Sequence, residues 1–433
     1  MISRTVAPPV KKVITLNIPP VEAVDHLYST PIFAIGDESE ELVKIEITFP
    51  AGTGEEKKSL LASAVAAMLT EGAGKYTANQ ISELKDFYGA KIQTGVGKDN
   101  ATVSVLCLSS KLRDIFPVFA AIVQSPKFPE TEFEAYKERA RASLKVNLDR
   151  VELQARLLFS ERFFGYSKYA ENYAPDHFDQ LSLQDLNDFY QSNYALADAK
   201  IFVSGKGVND AILLLKEYFA DREKSFFEIT SENPNPVGGI GFRPKENALQ
   251  SAIRLGIESL SRNAKEYPAF SLTNTILGGY FGSRLMQNIR EDKGYTYGIG
   301  TSINHLKDYS YLIASTQVGA EHTRATLREI KREISKLQNE PVGNEELELV
   351  QNYVAGLLLR NMDGTFNQAA LIKTMITNGL SGDYYNRFLN GIYSVTPDQI
   401  MDIAQKHLGF EKFTGAIAGP GYDDNVDQFL SSK

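Results

Sequence analysis

The chain contains LSLQDLNDFYQSNYALADAKIFVSGKG at residues 181–207 and a matching VTPDQIMDIAQKHLGFEKFTGAIAGPG at 395–421, without a gap and at a constant offset of 214 residues. Each segment predicts a capped helix, a loop and a short apolar strand that ends in glycine. Ser182 and Thr396 occupy the helix N-cap position in the two copies, where a side-chain hydroxyl accepts a backbone hydrogen bond. Because the offset is close to half of the 433 residues, an internal duplication explains the match better than chance does.

The segments in front of this repeat also correspond. LVKIEITFPAG (42–52) and SAIRLGIESL (251–260) both predict a strand followed by a polar turn and an apolar helix. Within the first half, NATVSVLCL (100–108) predicts a strand, KLRDIFPVFAAIVQS (111–125) predicts a helix, and residues 129–164 carry apolar side chains at helical spacing. The pattern predicts the α+β class: two similar αβ domains from a duplication, each a mostly antiparallel sheet with helices packed on one face.

The domain boundary is expected in TSENPNPVGG (230–239), where two prolines and two glycines among polar residues mark a linker. This places the first domain at residues 1–229 and the second at 240–433. A chain of 433 residues is also too long for one ordinary core, which favours two domains.

Composition excludes several classes of protein. With 43% hydrophobic and 23% charged residues, the chain is typical of a globular protein, and no apolar run is long enough to cross a membrane. The net charge of -8, without a stripe of Lys and Arg, argues against nucleic acid as the main partner. The N-terminal MISRTVAPPVKKV lacks the apolar core of a signal peptide, so we expect a cytoplasmic location. The single Cys107 excludes a disulfide within the chain and is expected to be a buried strand thiol.

The candidate chemistry lies in ILGGYFGSRLMQNIREDKGYTYGI (276–299). Its helical part is expected to stop at Gly294 in a left-handed conformation, and residues 295–297 alternate as a strand does. A helix that stops there and folds back into a strand would bring Arg290 beside Tyr297. A guanidinium fork and a phenolic hydroxyl suit the gripping of a carbonyl oxygen that gains charge during amide hydrolysis. The alternative interpretation is a surface arginine beside a half-buried tyrosine.

The first half does not carry this pair. LKDFYGAKIQT (84–94) is the counterpart segment, and it has Lys85 and Ile92 in the positions of Arg290 and Tyr297. The candidate chemistry is therefore restricted to the second half.

The two similar αβ halves, the Gly-Gly/SRL segment and the R-E-x-x-G-x-x-Y segment together resemble the pitrilysin/insulinase superfamily of zinc peptidases. The resemblance covers nearly the whole chain and is closest to the two-subunit branch that includes the mitochondrial processing peptidase and its bacterial relatives. Its most specific element is LGGYFGSRLMQNIREDKGYTY (277–297), and SVTPDQIMDIAQKHL (394–408) also fits.

The resemblance implies a zinc motif that this chain lacks. Active members carry H-x-x-E-H on the first long helix of the first half and a carboxylate ligand much further on. In KKSLLASAVAAMLTEGAG (57–74), these three positions hold Ser63, Ala66 and Ala67, and Lys145 stands in the region of the third ligand. None of these is a credible zinc ligand or a base that takes a proton from water. We therefore expect no metal and no cofactor in this chain.

The remaining candidate residues do not form another site. One imidazole with one carboxylate falls short of a three-ligand shell, and the histidines are scattered singly: His26, His177, His305, His322 and His407. An independent hydrolase would need a nucleophile with a base beside it, and Cys107 has no such neighbour. Gly278 and Gly279 lack the Gly-Lys-Ser/Thr ending of a phosphate loop, so we expect them to allow close backbone packing.

The resemblance implies the non-zinc subunit of a heterodimeric metallopeptidase that cleaves unfolded peptides. Arg290 would bind the carbonyl side of the substrate backbone and Tyr297 would donate a hydrogen bond to the tetrahedral oxyanion. An H-x-x-E-H-bearing partner of similar size would hold the zinc, so this chain alone is expected to be inactive. The alternative is a non-catalytic scaffold or assembly subunit of the same fold. A pure scaffold has no physical reason to keep the Arg/Tyr pair, which favours the peptidase subunit.

Overall fold

The computed structural model describes residues 12, 15–219 and 233–421. The strands in these ranges are β1 (Asp25–Leu27), β2 (Thr30–Gly36), β3 (Leu42–Phe49), β4 (Gly72–Ala73), β5 (Tyr76–Thr77), β6 (Lys91–Val96), β7 (Ala101–Leu108), β8 (Lys200–Gly205), β9 (Gly239–Pro244), β10 (Gln250–Glu258), β11 (Ile299–His305), β12 (Ser310–Gly319) and β13 (Thr414–Gly419). The α-helices are α1 (Leu61–Met68), α2 (Ala78–Phe87), α3 (Leu112–Gln124), α4 (Glu130–Leu148), α5 (Val151–Phe164), α6 (Leu183–Asn193), α7 (Val208–Tyr218), α8 (Tyr267–Asn274), α9 (Thr323–Asn339), α10 (Asn344–Asn361), α11 (Thr365–Thr377), α12 (Tyr384–Ser394) and α13 (Pro397–His407). Two π-helical stretches, Thr275–Gly279 and Met286–Asp292, follow α8.

The strands form two sheets of the same design. The first has the order β1-β2-β8-β3-β7-β6 and the second has the order β11-β12-β10-β13-β9. In each sheet one pair is parallel, β2 with β8 and β9 with β13, while the other pairs are antiparallel. Apart from β1, the second sheet therefore repeats the first strand by strand. The predicted fold class, two similar αβ domains with mostly antiparallel sheets, is confirmed.

The offset found in the sequence extends through four elements of each half. Helices α4, α5 and α6 and strand β8 each begin 214 residues before α10, α11, α13 and β13, respectively. Both predicted N-caps are present, because the hydroxyl of Ser182 accepts from the Asp185 amide at 3.2 Å and that of Thr396 accepts from the Gln399 amide at 3.3 Å. Because the same capped helix and the same strand occur in both halves, the two halves are best explained as copies of one ancestral unit.

One face of each sheet packs against helices of its own half. Because side chains of a strand alternate between faces, the inward residues are every second one, and they lie in two separate cores: Val43, Ile45 and Ile47 of β3, and Ile253, Leu255 and Ile257 of β10. The cysteine at position 107 is buried in β7 against the first core, as predicted.

The opposite face of each sheet is covered by a helix from the other half. Helix α5 packs on β9, β10 and β13, while α11 packs on β2 and β8. Gly256 of β10 admits the Phe159 ring so closely that an added Cβ would lie 2.5 Å from its Cζ. At the position 214 residues after Phe159, Lys373 of α11 instead forms an ion pair with Glu46 of β3. The sequence prediction placed helices on one face only and did not include this exchange.

The two sheets lie on either side of the predicted linker, 230–239. Residues 230–232 of that segment lie outside the described residues, and Gly239 already begins β9. The long apolar pattern over 129–164 is divided between α4 and α5, because the backbone is extended at Arg150. None of the described helices combines the length and the apolar character of a membrane-spanning helix.

Candidate functional site

The segment that carries Arg290 ends in a hydrogen-bonded turn around Gly294. The Tyr295 amide donates to the Ile289 carbonyl at 3.0 Å, and the Gly294 amide donates to the Arg290 carbonyl at 3.2 Å. This pair of bonds is the Schellman pattern, which requires a left-handed residue after the helix. Gly294 has that conformation, with φ of +65°, so the predicted helix stop is in place.

Residues 295–297 are not a strand, and this prediction is wrong. Strand β11 begins only at Ile299. The Thr296 hydroxyl donates to the Gln317 carbonyl at 2.6 Å and accepts from the Gly298 amide at 3.1 Å. Such local side-chain bonds replace the ladder bonds of a strand, and here they attach the turn to β12.

Tyr297 projects from this anchored turn into solvent. Its side chain is 94% exposed, and its hydroxyl has no hydrogen-bond partner among the described residues. Two residues before it, the Tyr295 ring stacks on His322 with ring centres 4.3 Å apart. The backbone around Tyr297 is therefore held in place, while its hydroxyl is available to a ligand. The half-buried tyrosine of the alternative interpretation does not occur.

Arg290 lies on the same turn with its guanidinium over an aromatic ring. The distance from its Cζ to the centre of the Phe281 ring is 4.5 Å, and its Nη1 donates to Glu291 at 2.8 Å. In the described part of the chain, no hydrogen bond or ring contact joins Arg290 to Tyr297. The two residues flank one turn, and their direct pairing stays a prediction.

The paired glycines in front of this segment serve packing, as predicted. A Cβ at Gly278 would lie 2.8 Å from both Cγ2 and Oγ1 of Thr301 in β11. The Thr301 hydroxyl in turn donates to the Asn274 carbonyl of α8 at 3.1 Å. A side chain at position 278 would separate the helix from the strand, so glycine is required there.

The opposite side of the helical turn faces a cavity of about 810 Å³. Arg284 holds Glu346 of α10 through two hydrogen bonds, at 2.9 and 2.8 Å, and this bonding raises the pKa of the guanidinium. The Asn288 amide donates to the buried Glu333 at 2.7 Å. These contacts brace the segment that carries Arg290. Sequence reasoning missed them, because Asn288 and Glu333 are 45 residues apart and neither stands in a recognisable motif.

The positions of the missing zinc motif lie on α1. Ser63 and Ala67 are partly exposed on one side of this helix and Ala66 is buried, while Lys145 is exposed on α4, which packs against α1. Hydroxyl, methyl and ammonium groups do not fit a zinc ion. Over the ranges that the structure describes, no group of three or more His, Cys, Asp or Glu side chains is placed to hold a metal.

A partly buried carboxylate, Glu56, caps the start of this helix. It accepts from the Ala62 amide at 2.9 Å and from the Leu60 amide at 3.2 Å, and Leu60 has a left-handed φ of +74°. Burial raises the pKa of Glu56 to about 7. The helix that would carry the zinc motif thus keeps a defined N-terminus. Glu56 was missed in the sequence because it is one of several charged residues in a row.

Two of the five histidines, His305 and His407, have structural surroundings. His305 bonds the Tyr267 hydroxyl and the Ser310 hydroxyl, each at 2.9 Å, and burial lowers its pKa to about 3. His407 packs edge-on against Phe270. Burial also raises the pKa of the Cys107 thiol to about 11, which makes it a poor nucleophile.

Comparison with known proteins supports one family over most of the chain. The profile of the insulinase family (peptidase family M16) matches residues 32–166, and the profile of the peptidase M16 inactive domain matches residues 180–354. Among solved structures, a peptidase M16 inactive domain from Pseudomonas fluorescens has 24% identity and a TM-score of 0.84, covering 94% of this chain and 99% of that chain. A protease from Helicobacter pylori has 15% identity and a TM-score of 0.84, covering 93% of this chain and 100% of that chain.

Curated relatives are named either as uncharacterized zinc proteases or as a non-peptidase homolog. An uncharacterized zinc protease YmxG of Bacillus subtilis is 22% identical over 304 residues, which cover 69% of this chain and 73% of the relative. A protein of Helicobacter pylori named non-peptidase homolog YmxG is 21% identical over 385 residues, which cover 84% of this chain and 86% of the relative. Similarity to both kinds of relative makes the chemistry of the individual residues decisive.

Proposed function

The chain belongs to the insulinase (peptidase M16) family, and we propose that it is the non-zinc subunit of a heterodimeric metallopeptidase that cleaves unfolded peptides. The partner would be a chain of similar size with an intact H-x-x-E-H motif. Ser63, Ala66 and Ala67 leave this chain without ligands of its own, so the metal chemistry is assigned to the partner.

The observation that carries the proposal is the exposed hydroxyl of Tyr297 on an anchored turn. A tyrosine that is 94% exposed contributes little to the core, whereas Thr296 beside it is tied to β12 by a 2.6 Å bond. A hydroxyl that projects from a fixed backbone can reach a carbonyl oxygen that gains charge, and closure of the site against the partner would fix this donor and exclude water. We assign to the Tyr297 hydroxyl the donation of a hydrogen bond to the scissile carbonyl oxygen as it gains charge.

Arg290 is assigned the binding of a substrate backbone carbonyl. Its partner Glu291 is largely exposed, and an exposed ion pair contributes only ~0–1 kcal/mol. A substrate carbonyl can therefore replace Glu291 at small cost. The Phe281 ring beneath the guanidinium limits its freedom, which reduces the entropy lost when the substrate binds.

The expected substrate is an extended peptide recognised mainly through its backbone. Tyr297 lies two residues before β11, which is an edge strand of the second sheet. An edge strand presents unpaired backbone groups to which an extended peptide can add as a further strand. A peptide placed there would pass the end of β11 next to Tyr297, whereas a compact folded protein would have to unfold locally first.

Reconstitution tests this proposal. The purified chain is mixed with an H-x-x-E-H subunit of similar size from the same organism, and hydrolysis of an unfolded peptide is followed with each subunit alone and with both. We expect chelator-sensitive cleavage only by the mixture. Cleavage by the isolated chain contradicts the proposal, and so does a stable complex whose turnover equals that of the partner alone. The latter result assigns the chain to the scaffold class, in line with the name of the Helicobacter pylori relative.

A further inference from the structure

A second cavity, of about 520 Å³, lies between the two halves of the chain. Its wall includes Thr48 and Lys200 from the first sheet, Glu55 from the turn before α1, Lys307 from the β11–β12 turn, and the end of α11. The volume falls within the range of about 300–1,000 Å³ that is typical of small-molecule sites. Contributions from both halves place this cavity at the junction of the two domains.

Two opposite charges on this wall, Glu55 and Lys200, have no close ion pair among the described residues, although the charge of Lys307 acts on both of them. The only ion pair of Glu55 among the described residues is with Lys168 at 3.9 Å, and Lys168 lies closer to Asp308, at 3.1 Å. Within the described ranges, the Lys200 ammonium donates only to the Ile376 carbonyl, at 3.3 Å. Burial raises the pKa of Glu55 and lowers the pKa of Lys200. Both groups would therefore gain from a ligand of opposite charge.

A third group on the wall is an unpaired hydroxyl. Thr48 is 4% exposed, and its Oγ1 has no hydrogen-bond partner in the part of the chain that the structure describes. An unsatisfied buried hydroxyl is unfavourable. By contrast, Asp99 on the same wall is fully engaged, since it accepts from the Tyr169 hydroxyl at 3.0 Å and from the Lys307 amide at 2.9 Å. The hydrogen bonds of Asp99 thus fix part of the wall, whereas Glu55, Lys200 and Thr48 lack strong partners among the described residues.

We propose that the interdomain cavity binds a small zwitterion, a free amino acid or a dipeptide, with its ammonium group at Glu55 and its carboxylate at Lys200 and Thr48. A metal ion is a poor alternative, because no metal-holding group of side chains occurs in the described ranges. An apolar ligand is equally unsuited to a wall of charged and amide side chains. This inference is independent of the proposed peptidase function, since it uses neither Arg290 nor Tyr297.

The binding test uses L-alanine and L-alanyl-L-alanine as probes against the full chain, by calorimetric titration. We expect at least one of them to bind with a Kd of about 1 mM or tighter. The N-acetylated and C-amidated forms of that probe each lack one charge, and we expect each to bind at least about tenfold more weakly. Absence of saturable binding for both probes, or equal binding of the capped forms, overturns the proposal and leaves a solvent-filled cavity.

Substitutions in the wall separate ligand binding from folding. Lys200→Met, Glu55→Gln and Thr48→Val each remove one under-partnered group, so the melting temperature of the ligand-free chain should stay the same or rise. The increase in melting temperature caused by the probe should disappear, because it depends on binding to the folded state. Lys206→Met is the control, since Lys206 directly follows β8 and, among the residues that the structure describes, pairs only with the exposed Glu41. A wall variant that keeps the ligand-induced increase contradicts the proposal.

Discussion

The guanidinium of Arg290 lies over the Phe281 ring, with its Cζ 4.5 Å from the ring centre. Phe281 is itself 68% exposed, so the pair stands on the surface rather than in the core. A single exposed aromatic ring is common on protein surfaces and does not by itself indicate a function. The contact with Phe281 holds the Arg290 guanidinium over one face of the ring, beside the turn that carries Tyr297.

Replacement of Arg290 should impair both substrate binding and turnover in the assembled peptidase. Arg290→Ala is expected to raise KM and lower kcat, because the guanidinium grips the substrate carbonyl before and during the reaction. Arg290→Lys should rescue poorly, since an ammonium lacks the planar fork and stacks less well on Phe281. Steady-state kinetics of the three proteins checks this. Full rescue by lysine would mean that charge alone is required.

Glu56 should make the stability of the chain depend on pH. Its folded pKa of about 7 lies above the ordinary value of 4.5, so the native state binds this proton more tightly than the unfolded state does. The contribution of Glu56 is therefore full at low pH and is lost as the pH rises through about 7. The loss corresponds to about 3 kcal/mol at most.

The measurement compares denaturant unfolding of the parent chain and of Glu56→Gln at several pH values. The variant should gain stability relative to the parent between about pH 5 and pH 8. The comparison with the variant is needed because His305, whose pKa is lowered to about 3, acts in the opposite direction over an overlapping range. Parallel stability curves for the two proteins would show that Glu56 does not titrate there.

The duplicated fold was predictable because it rests on local patterns. The caps at Ser182 and Thr396 and the alternation of β3 and β10 are visible in short windows, and the 214-residue offset relates the two halves. The exchange of α5 and α11 between sheets was not predictable. The spacing of apolar residues indicates that a helix has a buried side, but it does not identify the sheet against which that side packs.

The assignment of Arg290 and Tyr297 as site residues stays a prediction, and the backbone that carries them was predicted only in part. The glycine at position 294 predicts the helix stop by its conformational freedom, and the structure has it. The strand predicted at residues 295–297 is absent because hydrogen bonds of the Thr296 hydroxyl take the place of the ladder hydrogen bonds of a strand. The alternation of side chains in the sequence does not reveal this competition. Contacts such as Asn288 with Glu333 depend on the tertiary fold and have no signal in the sequence.

Gly256 should be essential for docking of the exchanged helix α5. An alanine Cβ at this position would lie 2.5 Å from the Phe159 ring, so Gly256→Ala is expected to lower the free energy of unfolding by ~1–3 kcal/mol. Gly356→Ala is the control. Gly356 lies within α10 with open space around its Cα, and alanine there should raise stability by about 1 kcal/mol. Equal effects of the two changes in denaturant unfolding would contradict the close packing.

The purified chain should hold no stoichiometric zinc. Ser63 and Ala67 stand at the positions of the two histidine ligands, and Lys145 brings a positive charge to the region of the third. Elemental analysis after dialysis should find far less than one zinc per chain, while the H-x-x-E-H partner, treated identically, should retain about one. About one tightly held zinc in this chain, removed by a chelator, would refute the assignment of the metal to the partner.

The most decisive prediction concerns the Tyr297 hydroxyl. If it donates to the oxyanion, Tyr297→Phe removes an interaction made mainly in the transition state. Loss of one such donor costs ~2.7–4 kcal/mol, on the order of a hundred- to a thousandfold in kcat, with KM little changed. Folding should be unaffected, because the side chain is 94% exposed.

The control for this substitution is Tyr295→Phe, which removes the same atom two residues earlier from a ring that stacks on His322. Its turnover should stay within about twofold of the parent complex, because no role in the reaction depends on that hydroxyl. Complex formation is measured separately for both variants. In a scaffold subunit, both changes would leave turnover per complex nearly unaltered. A large, kcat-specific loss confined to Tyr297→Phe therefore assigns the chain to the peptidase, because only a group that contacts the reacting carbonyl produces it.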